Sequence, residues 1–113
     1  MGRSFENRTT YLGILNLSHE YIKAFIVLND KDGNIAHFFH VKFYLLAHSI
    51  ELSFKAYLRY KGYSLKQLKL LGHDLEAIYL ELTDKYLYRL DETAFLHILN
   101  INQYYRIIAL MGG

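Results

Sequence analysis

His37, His40, Tyr44, His48, Glu51 and Lys55 follow one another at steps of three and four residues. On an α-helix of 3.6 residues per turn that spacing gathers them into one strip. A strip of imidazole, phenol, carboxylate and ammonium groups is either a solvated face or the wall of a ligand-facing groove, where the same groups move protons or hold an anion. Further along, His73-Asp74 sets an imidazole beside a carboxylate directly after Gly72. That pair is suited to opening a helix, satisfying free backbone N–H groups. A third set is basic. From Leu52 through His73 there is no acidic residue, while Lys55, Arg59, Lys61, Lys66 and Lys69 occur, interleaved with Tyr57, Tyr60 and Tyr63. Ammonium and guanidinium groups contact phosphate, and tyrosine rings stack on bases, so the stretch is suited to a nucleotide or RNA. The plain alternative is a helix end whose lysines suit its dipole and whose tyrosines enter the core.

Other chemistries are excluded by what the chain lacks. With no cysteine there is no disulfide, no thiolate metal site and no cysteine nucleophile. No glycine-rich phosphate loop or nucleophile elbow occurs. The run Asp30-Lys31-Asp32-Gly33-Asn34 begins like a calcium loop, but Ile35 stands where the sharp turn needs glycine and Val41 where the bidentate glutamate belongs. A formal net charge of +2 is too small for bulk electrostatics to mark a nucleic-acid binder, so any basic character is local.

These groups must be positioned by helices. The 113 residues make one domain, and the absence of proline leaves long helices uninterrupted. The spacing of Leu12, Leu15, Ile22, Phe25 and Ile26 predicts a first helix between Thr10 and Leu28, followed by a polar loop from Asn29 to Asn34. The second and longest helix is expected from Ala36 to Lys61, stopping at Gly62. Tyr63 to Gly72 reads as a loop with one helical turn over 64–70. A third helix starts near His73 or Asp74, and a fourth near Asp91 or Glu92 buries Phe95, Ile98 and Leu99. The second helix has a core stripe of Phe39, Phe43, Leu46, Ile50, Phe54 and Tyr57. A further apolar stripe of Phe38, Val41, Leu45, Leu52 and Ala56 makes the helix either central in its bundle or dimeric, and a homodimer burying that stripe is expected. The longest apolar region, near Phe43 to Phe54, is broken by His48 and Glu51 and is no membrane span. No secretory signal is visible, and a cytoplasmic location is the natural reading.

The stretch from Ala47 to Leu58 (AHSIELSFKAYL), then Lys61-Gly62, then Gly72-His73-Asp74-Leu75, resembles the HEPN superfamily of small helical domains. Their usual pattern is a helix containing an Ala, a Glu and four residues later a Lys, then Gly, then a helix opened by His-Asp-Leu. Here Glu51, Lys55, His73 and Asp74 match those positions, and Asn100 to Arg106 is similar to the family's last helix. The resemblance implies an up-and-down bundle, commonly dimeric, found with nucleotidyltransferase partners in toxin–antitoxin and defence systems. Many members are metal-independent ribonucleases with an Arg followed after four to six residues by a His. In this chain Arg89 meets His97 too late and no histidine follows Arg106, so that cleavage motif is not carried over. His73-Asp74 with His48 upstream also resembles the metal-dependent HD phosphohydrolases.

The expectation is therefore an all-α, antiparallel up-and-down bundle of four to five helices over residues 1–113. It is expected to act as a non-catalytic module that binds a nucleotide, RNA or protein partner without cofactor, metal or membrane. The candidate ligand-binding residues are His48, Glu51, Lys55, Arg59, Lys61, His73, Asp74 and Arg106. The alternatives are a diverged ribonuclease or HD-type phosphohydrolase, or a plain oligomerisation module.

Overall fold

The computed structural model describes the backbone of residues 10–32, 39–86 and 89–112, and side chains over 10–30, 39–86 and 89–108. These residues form five helices and, among them, no strand: α1 (Tyr11–Asp32), α2 (Phe39–Tyr60), α3 (Leu65–Leu71), α4 (Leu75–Tyr86) and α5 (Glu92–Gly112). The all-α expectation holds. Several boundaries differ. The helix α1 continues through Asp30 and Asp32, where a polar loop was expected, and its 22 residues equal those of α2. Residues 33–38, with the N-terminal end of the expected second helix, lie outside the described residues. The expected loop with one turn is the seven-residue helix α3. Ser64 nucleates it: its hydroxyl accepts from the Gln67 N–H while the Gln67 side chain accepts from the Ser64 N–H, a capping box.

The architecture is organised around α2. One face of it packs against α1, its principal partner, and other faces meet α4 and α5. The α1 contact is clasped by two buried serines. The Ser18 hydroxyl donates to the Ser49 carbonyl at 2.7 Å and the Ser49 hydroxyl to the Ser18 carbonyl at 2.9 Å. Small side chains let the helices approach, and each hydroxyl finds the backbone acceptor it needs once buried.

The core gathers Ala47, Phe54 and Leu58 of α2, Leu68 of α3, Leu75, Ile78, Tyr79 and Leu82 of α4, and Ile98 and Tyr105 of α5. Of the predicted core stripe, Phe54 is buried, Ile50 and Tyr57 pack partly buried against the core, and Phe39 at the helix start is exposed. The helix ends as expected at Gly62. With φ at 104°, its N–H bonds the Arg59 carbonyl and the Tyr63 N–H bonds the Leu58 carbonyl, a Schellman closure that a β-carbon would strain.

The second apolar stripe divides. Ala56 is buried within the single chain, lining a cavity with Tyr11 and Leu15 of α1, so that part of the stripe belongs to a helix central in its own bundle. Leu45 and Leu52 are half-buried, Val41 is exposed, and Phe38 lies outside the described residues.

Candidate functional site

The polar strip on α2 is neither solvated nor an open groove over its C-terminal half. Glu51 is 2% exposed and Lys55 9%, both turned toward α5 and the α3–α4 junction. A buried carboxylate is tolerated only when its lone pairs are filled. Here Lys55 Nζ donates to Oε2 at 2.8 Å, the Tyr105 hydroxyl to Oε1 at 2.5 Å, and His73 Nδ1 to Oε1 at 2.8 Å. Lys55 Nζ also donates to the Gly72 carbonyl at 2.7 Å. Gly72 has φ at 65°, a conformation that aims its carbonyl back at α2 and that a side chain would disfavour.

The proton positions follow from the partners. Ionised Glu51 only accepts, so His73 carries its proton on Nδ1. The Tyr105 hydroxyl spends its proton on Glu51, so its oxygen accepts from His48 Nδ1 at 2.6 Å. Both imidazoles thus have Nδ1 protonated, which leaves Nε2 as the basic nitrogen when the ring is neutral. His48 lies between rings, stacked on Tyr44 and meeting Tyr21 of α1 edge-on, with 15% of its side chain exposed. The His73 side chain is 53% exposed.

The electrostatics agree with this geometry. Burial alone would raise the Glu51 pKa, but the hydrogen bonds from Lys55, Tyr105 and His73 together hold it below its ordinary value. Burial lowers the pKa of His48 despite the opposing Glu51 charge. Burial and the neighbouring Glu51 carboxylate push Tyr105 far upward, so it stays a neutral donor.

A second polar cluster adjoins it. The Asp74 Oδ1 accepts from the Glu76 and Ala77 N–H groups, capping α4 as one sequence reading holds, and from Asn102 Nδ2 at 2.9 Å. Asn102 Oδ1 in turn accepts from the Leu75 N–H at 2.7 Å, and Arg106 lies 3.9 Å from Asp74. Burial would raise the Asp74 pKa, yet Asn102, the Ala77 N–H and Arg106 hold it low. With its carboxylate committed to this cap, Asp74 does not converge with His48 and His73 as an HD metal site requires. Among the described residues no group of three or more His, Asp and Glu side chains is arranged to hold a metal ion.

Of the eight candidate ligand-binding residues, His48, Glu51, Lys55 and His73 thus form one network, and Asp74 with Arg106 forms its neighbour. Arg59 and Lys61 lie elsewhere. The Arg59 guanidinium donates to the Tyr63 carbonyl at 2.8 Å, closing the end of α2. Lys61 Nζ sits over the rings of Tyr57, Tyr60 and Tyr86 at 5.5–5.8 Å. With Lys55 turned inward, the basic run does not present five cations on one surface. Next to Lys61 lies a cavity of about 280 Å³, lined by Tyr11 and Leu15 of α1, Ser53, Phe54, Ala56, Tyr57 and Tyr60 of α2, and Leu82 of α4.

Sequence reasoning missed Asn102 and Tyr105 as partners of the site and Tyr11 as a cavity wall. The first two carried a signal: Asn102 and Tyr105 stand three residues apart, the spacing that places both on one face of the helix, beside the Arg106 already singled out. Tyr11 carried none, since it reaches Tyr60 only through the packing of α1 on α2, at 5.0 Å between ring centroids. No helix among the described residues is long and apolar enough to cross a membrane. Comparison of the chain with protein-family models, with curated proteins and with solved structures finds no match.

Proposed function

We propose that this chain is a HEPN-like helical module that binds a nucleotide, free or at the end of a single-stranded RNA, in the tyrosine-walled cavity. The observation that carries the reading is the cavity itself: about 280 Å³ walled by the rings of Tyr11, Tyr57, Tyr60 and Phe54, with the Lys61 ammonium over two of them. A base is flat and apolar on its faces and stacks on such rings, while its phosphate seeks a cation at the rim. Ser53 adds a hydroxyl for orientation. The network around Glu51 serves this reading as scaffold, because its charged groups are already paired with one another. In the arrangement that the family resemblance implies, the module works as a homodimer beside a nucleotidyltransferase, in the cytoplasm, within a toxin–antitoxin or defence system.

Tyrosine fluorescence titrated with 5′-AMP at several salt concentrations tests the reading. Binding should weaken as salt rises, and Lys61→Ala should lower affinity about 5- to 10-fold and flatten the salt dependence. If neither 5′-AMP nor a short oligoadenylate binds at low salt, the reading fails.

One observation favours a second reading, a diverged ribonuclease. His73, half exposed and held through Nδ1 by a buried carboxylate, has the form of an oriented general base, and Arg106 stands beside the adjoining Asp74. RNA cleavage by metal-free protein, lost in both His73→Ala and Arg106→Ala, would establish it.

A further inference from the structure

The tyrosine-walled cavity has a neighbour across Ser53 and Phe54. A second cavity of about 330 Å³ adjoins it, lined by Ser18 and His19 of α1, Ser49, Ile50, Ser53 and Phe54 of α2, Leu90, and Ile98 of α5. Ser53 and Phe54 line both, so the two cavities are neighbours along one side of α2 with those residues between them. From Tyr60 to Ile50 that floor covers ten helical rises, about 15 Å. The α1 helix forms one wall throughout, while Leu82, Leu90 and Ile98 form the other.

We infer that the two cavities are successive base subsites and that the ligand is a dinucleotide unit of single-stranded nucleic acid rather than a mononucleotide. The inference rests on the nucleotide reading of the first cavity. Each half has the wall chemistry that a base needs. The first offers the tyrosine rings, and the second offers the exposed His19 imidazole opposite Leu90 and Ile98. The polar groups fall where a backbone would run. Lys61, held over the Tyr57 and Tyr60 rings that wall the first cavity, is suited to a 5′-phosphate, and the exposed Ser53 lines both cavities, where its hydroxyl suits the phosphate that links the two nucleotides. The Ser18 and Ser49 hydroxyls are committed to each other's carbonyls, so the second base is held by stacking and burial and its identity matters little. A docked protein helix fits this trough less well, because the cation and the hydroxyl are spaced along its length and an apolar helix face would leave both unused.

Stacking a base on an aromatic ring is worth about 1–3 kcal/mol, so an added stacked base raises affinity roughly 5- to 150-fold. The test compares 5′-AMP with the 5′-phosphorylated dinucleotide pApA by fluorescence or calorimetric titration. pApA should bind at least 5-fold more tightly. Leu90→Trp, which fills the second cavity, and His19→Ala, which removes an exposed wall, should both erase that advantage and leave the 5′-AMP affinity unchanged. Should Leu90→Trp fail to fold, His19→Ala decides alone. Equal affinity for the two ligands in the unaltered protein would overturn the second subsite and leave the nucleotide reading standing. An advantage for pApA that survives His19→Ala would also overturn it. Absence of binding by either ligand would end both readings.

Discussion

Two regions of α2 use similar side chains in opposite ways. Around Glu51, a carboxylate, an ammonium, two imidazoles and a phenol are buried or half-buried and joined by hydrogen bonds of 2.5–2.8 Å. Near the C-terminal end of the same helix, Tyr60 is 60% exposed beside an open cavity, and Lys61 stands above its ring. In the first region the charged groups are paired with one another inside the chain, whereas the second keeps aromatic area and a charge toward solvent. Perturbed protonation alone does not mark a binding site: burial and mutual hydrogen bonds are enough to shift the pKa values of a self-paired ionic cluster.

The largest effect that would sharpen this contrast is Glu51→Ala. It leaves Lys55, His73 and Tyr105 facing a void, and removing one partner of a buried ionic network costs about 3–5 kcal/mol. Urea denaturation should show that loss, with Glu51→Gln losing less because an acceptor remains. A loss below about 1 kcal/mol in Glu51→Ala would break the distinction. Tyr105→Phe removes only the hydroxyl that links His48 to Glu51, a bond to a charged acceptor worth about 1.5–3 kcal/mol. Its urea midpoint should fall, by less than that of Glu51→Ala.

Acid acts on the same cluster. His48 and Glu51 both titrate below their ordinary values of 6.5 and 4.5 in the folded protein. Over each interval the unfolded chain binds more protons than the folded one, so stability falls as pH drops. The His48 contribution is complete above pH 6.5 and is lost as pH falls through its lower folded pKa; the Glu51 contribution is complete above 4.5 and is lost further down. Urea midpoints measured from pH 7.5 to 3.5 should decline in those two stages, and His48→Phe should remove the upper one. The smallest expected effect lies at the other region. Lys61→Ala should cost no more than about 1 kcal/mol in urea denaturation, the scale of an exposed cation over aromatic rings, while it weakens 5′-AMP binding.

The contrast was partly legible beforehand. Spacing of apolar residues revealed the four long helices, since a buried face repeats with the helical period whatever it packs against. The capping box at Ser64 and Gln67 was present in the sequence, but seven residues give too few periods for spacing to mark a helix. The strip from Tyr44 to Lys55 was legible as a strip, yet its burial was not. Charged residues on one helix face are usually solvated, and the donors that make burial tolerable here come from His73 and Tyr105, 22 and 54 residues from Glu51. The cavity was invisible for a related reason: its walls come from α1, α2 and α4, and only their packing leaves the space between them.

The arrangement of α1 has a consequence for motion. It is a wall of both cavities, and among the described residues its principal packing partner is α2, whereas α2 is held in addition by α4, α5 and the network around Glu51. Opening those cavities therefore requires separating one helix pair, with the serine clasp between Ser18 and Ser49 as its buried polar link, and leaves the remaining core intact. Hydrogen exchange tests whether that pair opens before the rest of the core: amides of α1 should then exchange through the partial opening while those around Leu58, Leu75 and Leu82 await the full transition. A ligand seated in the trough contacts both sides of this seam, so the protection it confers should fall mainly on the amides of α1.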